Sequence, residues 1–205
     1  DWGFYVKNLN SLGKNSTTYK NSPQAEAMTG IMFSSSFPLI KSNPDVSLST
    51  IEPRLSLRYS PHQMKNHAGG ASRINVSNVH SFSRLGIGDS YEEGESLTLG
   101  ISYKNETYLR EEQNPNITKI SDETDITQKI DQYFDIQLAT VFRAEEEENI
   151  PTKSTLNRKT SNIFGEINYS YQDYLNINYD FSIDNDLNTF EYNSLDSTFE
   201  YKNWT

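Results

Sequence analysis

The sequence predicts an all-β fold: a partial barrel of about eight to ten antiparallel strands from a large membrane-spanning β-barrel. Three observations predict it. From Leu175 to Ile183 apolar and polar residues alternate without a slip. Leu175, Ile177, Tyr179, Phe181 and Ile183 share one face, and Asn176, Asn178, Asp180 and Ser182 the other, the period-two signature of a strand. Only 34% of residues are hydrophobic, yet 13 are tyrosine and 10 phenylalanine, a composition poor in core aliphatics and suited to half-apolar strands with rings at an interface. Finally, no apolar run reaches the roughly 18 residues of a membrane-spanning helix, whereas barrel strands need only about 10 residues, half of them apolar.

The elements follow in chain order. The opening DWGFYVKNLN reads as a weaker strand. Ala27, Thr29, Ile31, Phe33 and Phe37 then make a longer odd-numbered stripe. In TIEPRLSLRY, Ile51, Pro53, Leu55, Leu57 and Tyr59 oppose Glu52, Arg54, Ser56 and Arg58. In SLTLGISYK, Leu97, Leu99, Ile101 and Tyr103 oppose Thr98, Gly100, Ser102 and Lys104. FDIQLATVFR sets Phe134, Ile136, Leu138 and Phe142 against Asp135, Gln137 and Arg143. NIFGEINYSY does the same with Ile163, Ile167, Tyr169 and Tyr171. After Phe190 and Tyr192 the apolar phase changes to Leu195, Phe199 and Tyr201, as one β-bulge or a turn near Asn193-Ser194 would produce. No helix of consequence is expected; the best candidate lies within 121–132.

The connections are of unequal length. Gln172-Asp173 reads as a tight hairpin, whereas 144–161 and the stretch around NHAGGASRINVSN are long and polar. Outer-membrane barrels carry short turns on the periplasmic side and long loops outside, so 144–161 is expected to be extracellular if Gln172-Asp173 is periplasmic. Parity then puts the long 105–131 segment on the periplasmic side, where a further strand pair could hide. The ends at Asp1 and Thr205 read as cut, and the chain as an internal piece of a longer protein.

The net charge of −10 argues against a nucleic-acid partner, whose phosphates call for a basic surface. Without cysteine there are no disulfides or thiolate metal sites. His62, His67 and His80 lie in one loop region, but their spacing fits no metal motif, and they read as solvated loop residues. No G-x-S-x-G elbow accompanies the many serines, and no catalytic residue, metal site or cofactor is expected. The run Glu145 to Glu148 reads as a solvated loop. Glu52, Arg54 and Arg58 are more telling: they sit in mid-strand behind an unbroken apolar stripe. In a soluble sandwich that face would meet solvent. In a barrel it would be the lumen wall, with Asn176 and Asp180 on the equivalent face of their own strand.

STIEPRLSLRYSP followed by NVHSFSRLGIGDSYEEGESLTLGISYK resembles the C-terminal barrel of the LPS-assembly outer-membrane protein family (LptD, formerly organic solvent tolerance protein). Glu52, Pro53, Arg54, Tyr59 and Pro61 match its Glu-Pro-Arg strand and Tyr-x-Pro. Asn78, Phe82, Arg84, Gly86 and Asp89 match the following loop, and Glu92, Gly94, Leu97, Thr98, Gly100 and Tyr103 the next turn and strand. The similarity is strong over 50–104 and looser to about 170.

The resemblance implies lipopolysaccharide insertion into the outer leaflet of the Gram-negative outer membrane. It also implies a plug lipoprotein of the LptE type inside the barrel, and a periplasmic lipopolysaccharide bridge docking on a domain not in this chain. It implies apolar faces set against outer-membrane lipid, and no enzyme activity. A diffusion porin or receptor-type transporter, and a soluble β-sandwich adhesin or sugar-binding module, remain the alternatives to separate.

Overall fold

The structure, a computed structural model, describes residues 1–44, 46–109, 130–172 and 174–200. The alternating stretches form β1 (Trp2–Ser11), β2 (Gln24–Ser36), β3 (Leu39–Asn43), β4 (Ser47–Ser60), β5 (Gly94–Tyr108), β6 (Ile130–Arg143), β7 (Ile163–Tyr171), β8 (Leu175–Ile183) and β9 (Phe190–Phe199). All nine belong to one sheet in the order β1-β2-β4-β5-β6-β7-β8-β9, with β3 also on β4. Every neighbouring pair is antiparallel. The fold class and the strand number agree with the sequence expectation.

β3 is the strand the alternation did not single out. Ser36 opposes Arg54 and Leu39 opposes Ile51, and between them the Phe37 amide donates to the Pro53 carbonyl at 3.1 Å. Thus β2 and β3 are two pieces of one ladder on β4. It is broken where Pro38 and Pro53 have no N–H to give.

Register places apolar beside apolar across the whole sheet. One row runs Trp2, Phe33, Leu57, Leu97, Phe142. Another runs Leu39, Ile51, Tyr103, Ile136, Ile167, Tyr179, Leu195. A one-residue slip of any strand would turn its whole apolar set to the other face, so the rows fix the register. This face is bare: Trp2 is 77% exposed, Leu57 49% and Leu195 67%. An uncovered apolar surface running across every strand far exceeds what soluble monomers leave in water.

The core lies on the opposite, polar face. Residues 61–93, between β4 and β5, and 144–162, between β6 and β7, fold back over the sheet. They bury Met64, Ile74, Val76, Val79, Leu85, Ile150 and Leu156 against Ala139, Val141 and Phe164. The two segments also bond each other: the His67 amide donates to the Asn149 carbonyl at 2.8 Å, and the Thr152 amide to the Ala68 carbonyl at 3.2 Å. The long, polar stretch 144–161 is therefore solvated only in part. Glu145, Glu146 and Glu148 are exposed, while Ile150 and Leu156 are fully buried. A single 3-10 turn, Thr152–Ser154, is the helical element among the described residues.

The phase change after Phe190 is a bulge. Ser182 opposes Tyr192 but Ile183 opposes Phe190, so Glu191 is the extra residue and Tyr192 falls on the polar face. No turn interrupts β9 at Asn193-Ser194. β7 ends at Tyr171 and β8 begins at Leu175, with the Tyr174 amide donating to the Tyr171 carbonyl at 3.1 Å. Of the tight hairpin expected at Gln172-Asp173, Asp173 lies outside the described residues. The long 105–131 segment is shortened at both ends, because β5 runs to Tyr108 and β6 starts at Ile130. Residues 110–129, where a further strand pair was considered, lie outside the described residues, as does most of the helix candidate within 121–132.

Candidate functional site

The polar face divides into a covered half and an open half. Over β1, β2, β4 and β5 it is covered by residues 61–93. Phe82 is the wedge: it stacks on Tyr5 at 3.8 Å between ring centroids and meets Tyr91 edge-on at 4.9 Å. Gly30 makes room for it, since a Cβ there would lie 2.2 Å from Phe82 Cζ. Lys7 Nζ reaches across from β1 to the carbonyls of Ile87 at 3.1 Å and Ser90 at 3.2 Å.

The three histidines, expected as solvated loop residues, are bonded within the fold instead: His62 and His80 tie this segment to β2 and β4, and His67 braces it internally. The Thr29 amide of β2 donates to His62 Nδ1 at 3.2 Å. His80 Nδ1 lies 3.0 Å from Ser56 Oγ of β4, and Gly100 leaves space for its ring. His67 Nε2 lies 2.7 Å from Asp89 Oδ1, and Tyr19, from the β1–β2 connection, donates to the other Asp89 oxygen. Burial, with the charges of Arg54 and Arg84, pushes the His80 ring below the ordinary histidine range. Burial would raise the Asp89 carboxyl, but the Tyr19 and His67 bonds outweigh it and hold it low. Among the described residues no group of three metal-ligating side chains converges.

Beneath the segment lies a buried charge cluster. Arg58 of β4, Arg143 of β6, and Arg84 and Glu92 of the segment all have side chains no more than 3% exposed. Arg84 grips Glu92 with two bonds, Nε to Oε2 at 2.8 Å and Nη2 to Oε1 at 2.6 Å. Its remaining donors reach the Val79 carbonyl, Thr98 Oγ1 and Ser96 Oγ. Arg143 Nη1 donates to Glu92 Oε1 as well. Burial alone would raise the Glu92 carboxyl. The surrounding guanidinium charges, with the Arg84 bonds, prevail and lower it to about 2. Bidentate, charge-assisted bonds of this kind fix orientation as well as energy. Glu92 clamps the segment to β6 through Arg143, and Arg84 ties it to β5 through Thr98 and Ser96.

The sequence-predicted site residues are distributed over the polar face. Glu52, Arg54 and Arg58 share that face of β4. Arg54 Nε donates to Glu52 Oε1 at 2.9 Å in an open ion pair, whereas Arg58 is covered by Phe82, its guanidinium 4.5 Å above the ring. Arg58 thus meets the chain's own segment, not water. Asn176 and Asp180 lie on the polar face of β8, with three strands between it and β4, opposite Ser170 and Glu166 respectively, and are not brought near the β4 residues. Around them the face is open and amide-rich: Asn168 and Asn178 both donate to Glu166 Oε1, at 2.7 Å and 3.3 Å.

The residues that carry the family resemblance turn out to build the covered half. Phe82, Arg84, Asp89, Glu92, Thr98 and Gly100 are its wedge, clamp and clearances. Gly86 and Gly94 hold positive φ of 65° and 78°, where a Cβ would be strained. Their roles as internal partners were not read from the sequence, although Arg84 and Glu92, eight apart in a polar stretch, were both in the matched motif.

An antiparallel sheet that is apolar across its full width, with its own chain folded onto the polar face, is a section of an outer-membrane β-barrel. The model of the family LptD, LPS transport system D, matches residues 3–205, and the chain belongs to that family. No curated protein and no solved structure matches it. The family works in lipopolysaccharide transport and assembly at the outer membrane and is a transport family, not an enzyme family.

Proposed function

We propose that this chain forms part of the barrel that inserts lipopolysaccharide into the outer leaflet. Its apolar face is set in lipid and its polar face turned to the lumen. The single observation that carries the reading is the pair of faces: one predominantly apolar and left uncovered, the other polar and half filled by the chain's own residues. Spanning strands need paired backbone groups and an apolar exterior; the ladders and the apolar rows supply both within the sheet, whose open edges are β1 and β9.

In this reading 61–93 and 144–162 narrow the lumen at the extracellular end. The open stretch bearing Glu52, Arg54, Asn176 and Asp180 faces a plug lipoprotein of the LptE type and the passing lipopolysaccharide. The lipid arrives from a periplasmic bridge through a domain outside this chain. A lumen half filled by packed segments suits a plugged assembly barrel better than a free diffusion pore. The test is co-purification of the Arg54→Glu protein with its lipoprotein, beside single-channel conductance. Weakened association, or entry of bulky antibiotics, supports the proposal. Altered ion conductance with no stable lipoprotein partner in either wild type or variant contradicts it in favour of a porin.

A further inference from the structure

We propose that the buried arginine cluster beneath residues 79–93 is a binding site for one small inorganic anion of chloride size, held by the terminal nitrogens of Arg58. The cluster contains three guanidinium groups and one carboxylate, each with its side chain no more than 3% exposed. Arginine does not deprotonate in proteins, so two positive charges are left over in a space closed to water. The one carboxylate is already taken by Arg84 and Arg143. Arg58 Nη1 stands 3.9 Å from Glu92 Oε1, too far for a hydrogen bond.

The donors left over identify the place. Arg58 spends Nε on the Phe82 carbonyl at 3.2 Å, but its Nη1 and Nη2 have no acceptor, and neither has Nε of Arg143. Buried donors without acceptors are rare, and the single Glu92 charge, 3.9 Å from Arg58, is shared among three guanidinium groups. The Phe82 ring covers one face of the Arg58 guanidinium, so a ligand must approach in the guanidinium plane. There Nη1 and Nη2 each offer an N–H to a single acceptor.

Space selects the class of ligand. The four side chains of the cluster are each no more than 3% exposed, and Phe82 closes one face of the Arg58 guanidinium. So closed a place suits a single monatomic anion and excludes phosphate, sulfate or a lipid headgroup. The Glu93 carboxylate is turned to the Met64 amide, which donates to it at 2.9 Å, and does not reach Arg58 Nη1 or Nη2. An anion here would neutralise part of the excess charge and fasten β4 to the segment lying on it.

Bromide replaces chloride and scatters anomalously, so the direct experiment is diffraction from crystals of the complete protein grown in detergent with sodium bromide. The expected result is one anomalous peak within bonding distance of Arg58 Nη1 and Nη2, occupied at tens of millimolar bromide. In parallel, replacing sodium gluconate by sodium chloride at constant ionic strength should raise the unfolding temperature by several degrees. Arg58→Gln should lose most of that rise. Should this variant fail to fold, the wild-type peak and the wild-type chloride shift decide the matter by themselves. A site filled by water with no anomalous signal overturns the proposal. So does an adventitious ion only, seen at molar bromide with no chloride-specific shift.

Discussion

Replacing Glu92 by glutamine keeps the shape of the clamp and removes its charge, leaving three buried guanidinium groups without their carboxylate. The magnitude follows from its titration. A carboxyl that protonates at about 2 and not at its ordinary 4.5 has its charged form favoured by about 3 kcal/mol, at about 1.4 kcal/mol per pH unit. Breaking a buried ion pair by removing one partner costs about 3–5 kcal/mol in other proteins, so the two routes agree. Because the folded value is depressed, this stability is fully present above pH 4.5 and is lost as the pH falls from there toward 2. The assay is urea unfolding of wild type and Glu92→Gln in detergent micelles, repeated from pH 7 downward. The difference between the two proteins should be about 3 kcal/mol at pH 7 and shrink steadily below pH 4.5. Since every other carboxylate titrates in both proteins, the difference isolates Glu92. Equal midpoints at pH 7, or a gap that does not narrow on acidification, would refute the clamp.

Phe82→Ala should cost about 3–5 kcal/mol by leaving a cavity, and Gly30→Ala about 1–3 kcal/mol by driving its Cβ into the same ring. In the double variant the second loss should largely vanish, a coupling that a double-mutant cycle in urea reads directly. On the apolar face, Leu99→Arg should cost about 2–4 kcal/mol if it sits near the bilayer midplane, and Ser102→Arg on the polar face of the same strand far less, by unfolding in lipid vesicles. An epitope inserted among Glu145 to Glu148, which are mostly exposed, should be tolerated and detected on intact cells. The same insertion beside the fully buried Leu156 should abolish folding; a tag seen only after the outer membrane is opened would invert the orientation.

Most of the sheet was legible in the sequence because period two is a local signal. Leu175 to Ile183 states its two faces within nine residues, and register then follows from matching apolar stripes. β3 was hidden because LIKSN is short and its pairing is only the continuation of β2 past Pro38. The stretch around NHAGGASRINVSN and residues 144–161 read only as long polar connections because their buried residues follow no period. Met64, Ile74, Val79 and Leu85 are single aliphatics in polar surroundings, and only contacts with distant strands bury them. Aliphatics as isolated as those in INVSNVHSFSRLGI are the signal that something covers them. The polar character of Arg58 was legible, but its partner was not. A charge in mid-strand reads alike whether it meets water, another protein or, as here, a phenylalanine of the same chain.

The measurement that bears most directly on the whole account is spin-label accessibility across the two faces, made in lipid vesicles. Labels at Leu57, Ile101, Ile177 and Phe181 should be relaxed by a lipid-soluble quencher and shielded from a water-soluble one. Labels at Asn176 and Asp180 should show the reverse, and one at Ser56, buried under the folded-back segment, should be reached by neither. Water access on both faces, or the opposite assignment of the two, would contradict a barrel wall set in lipid.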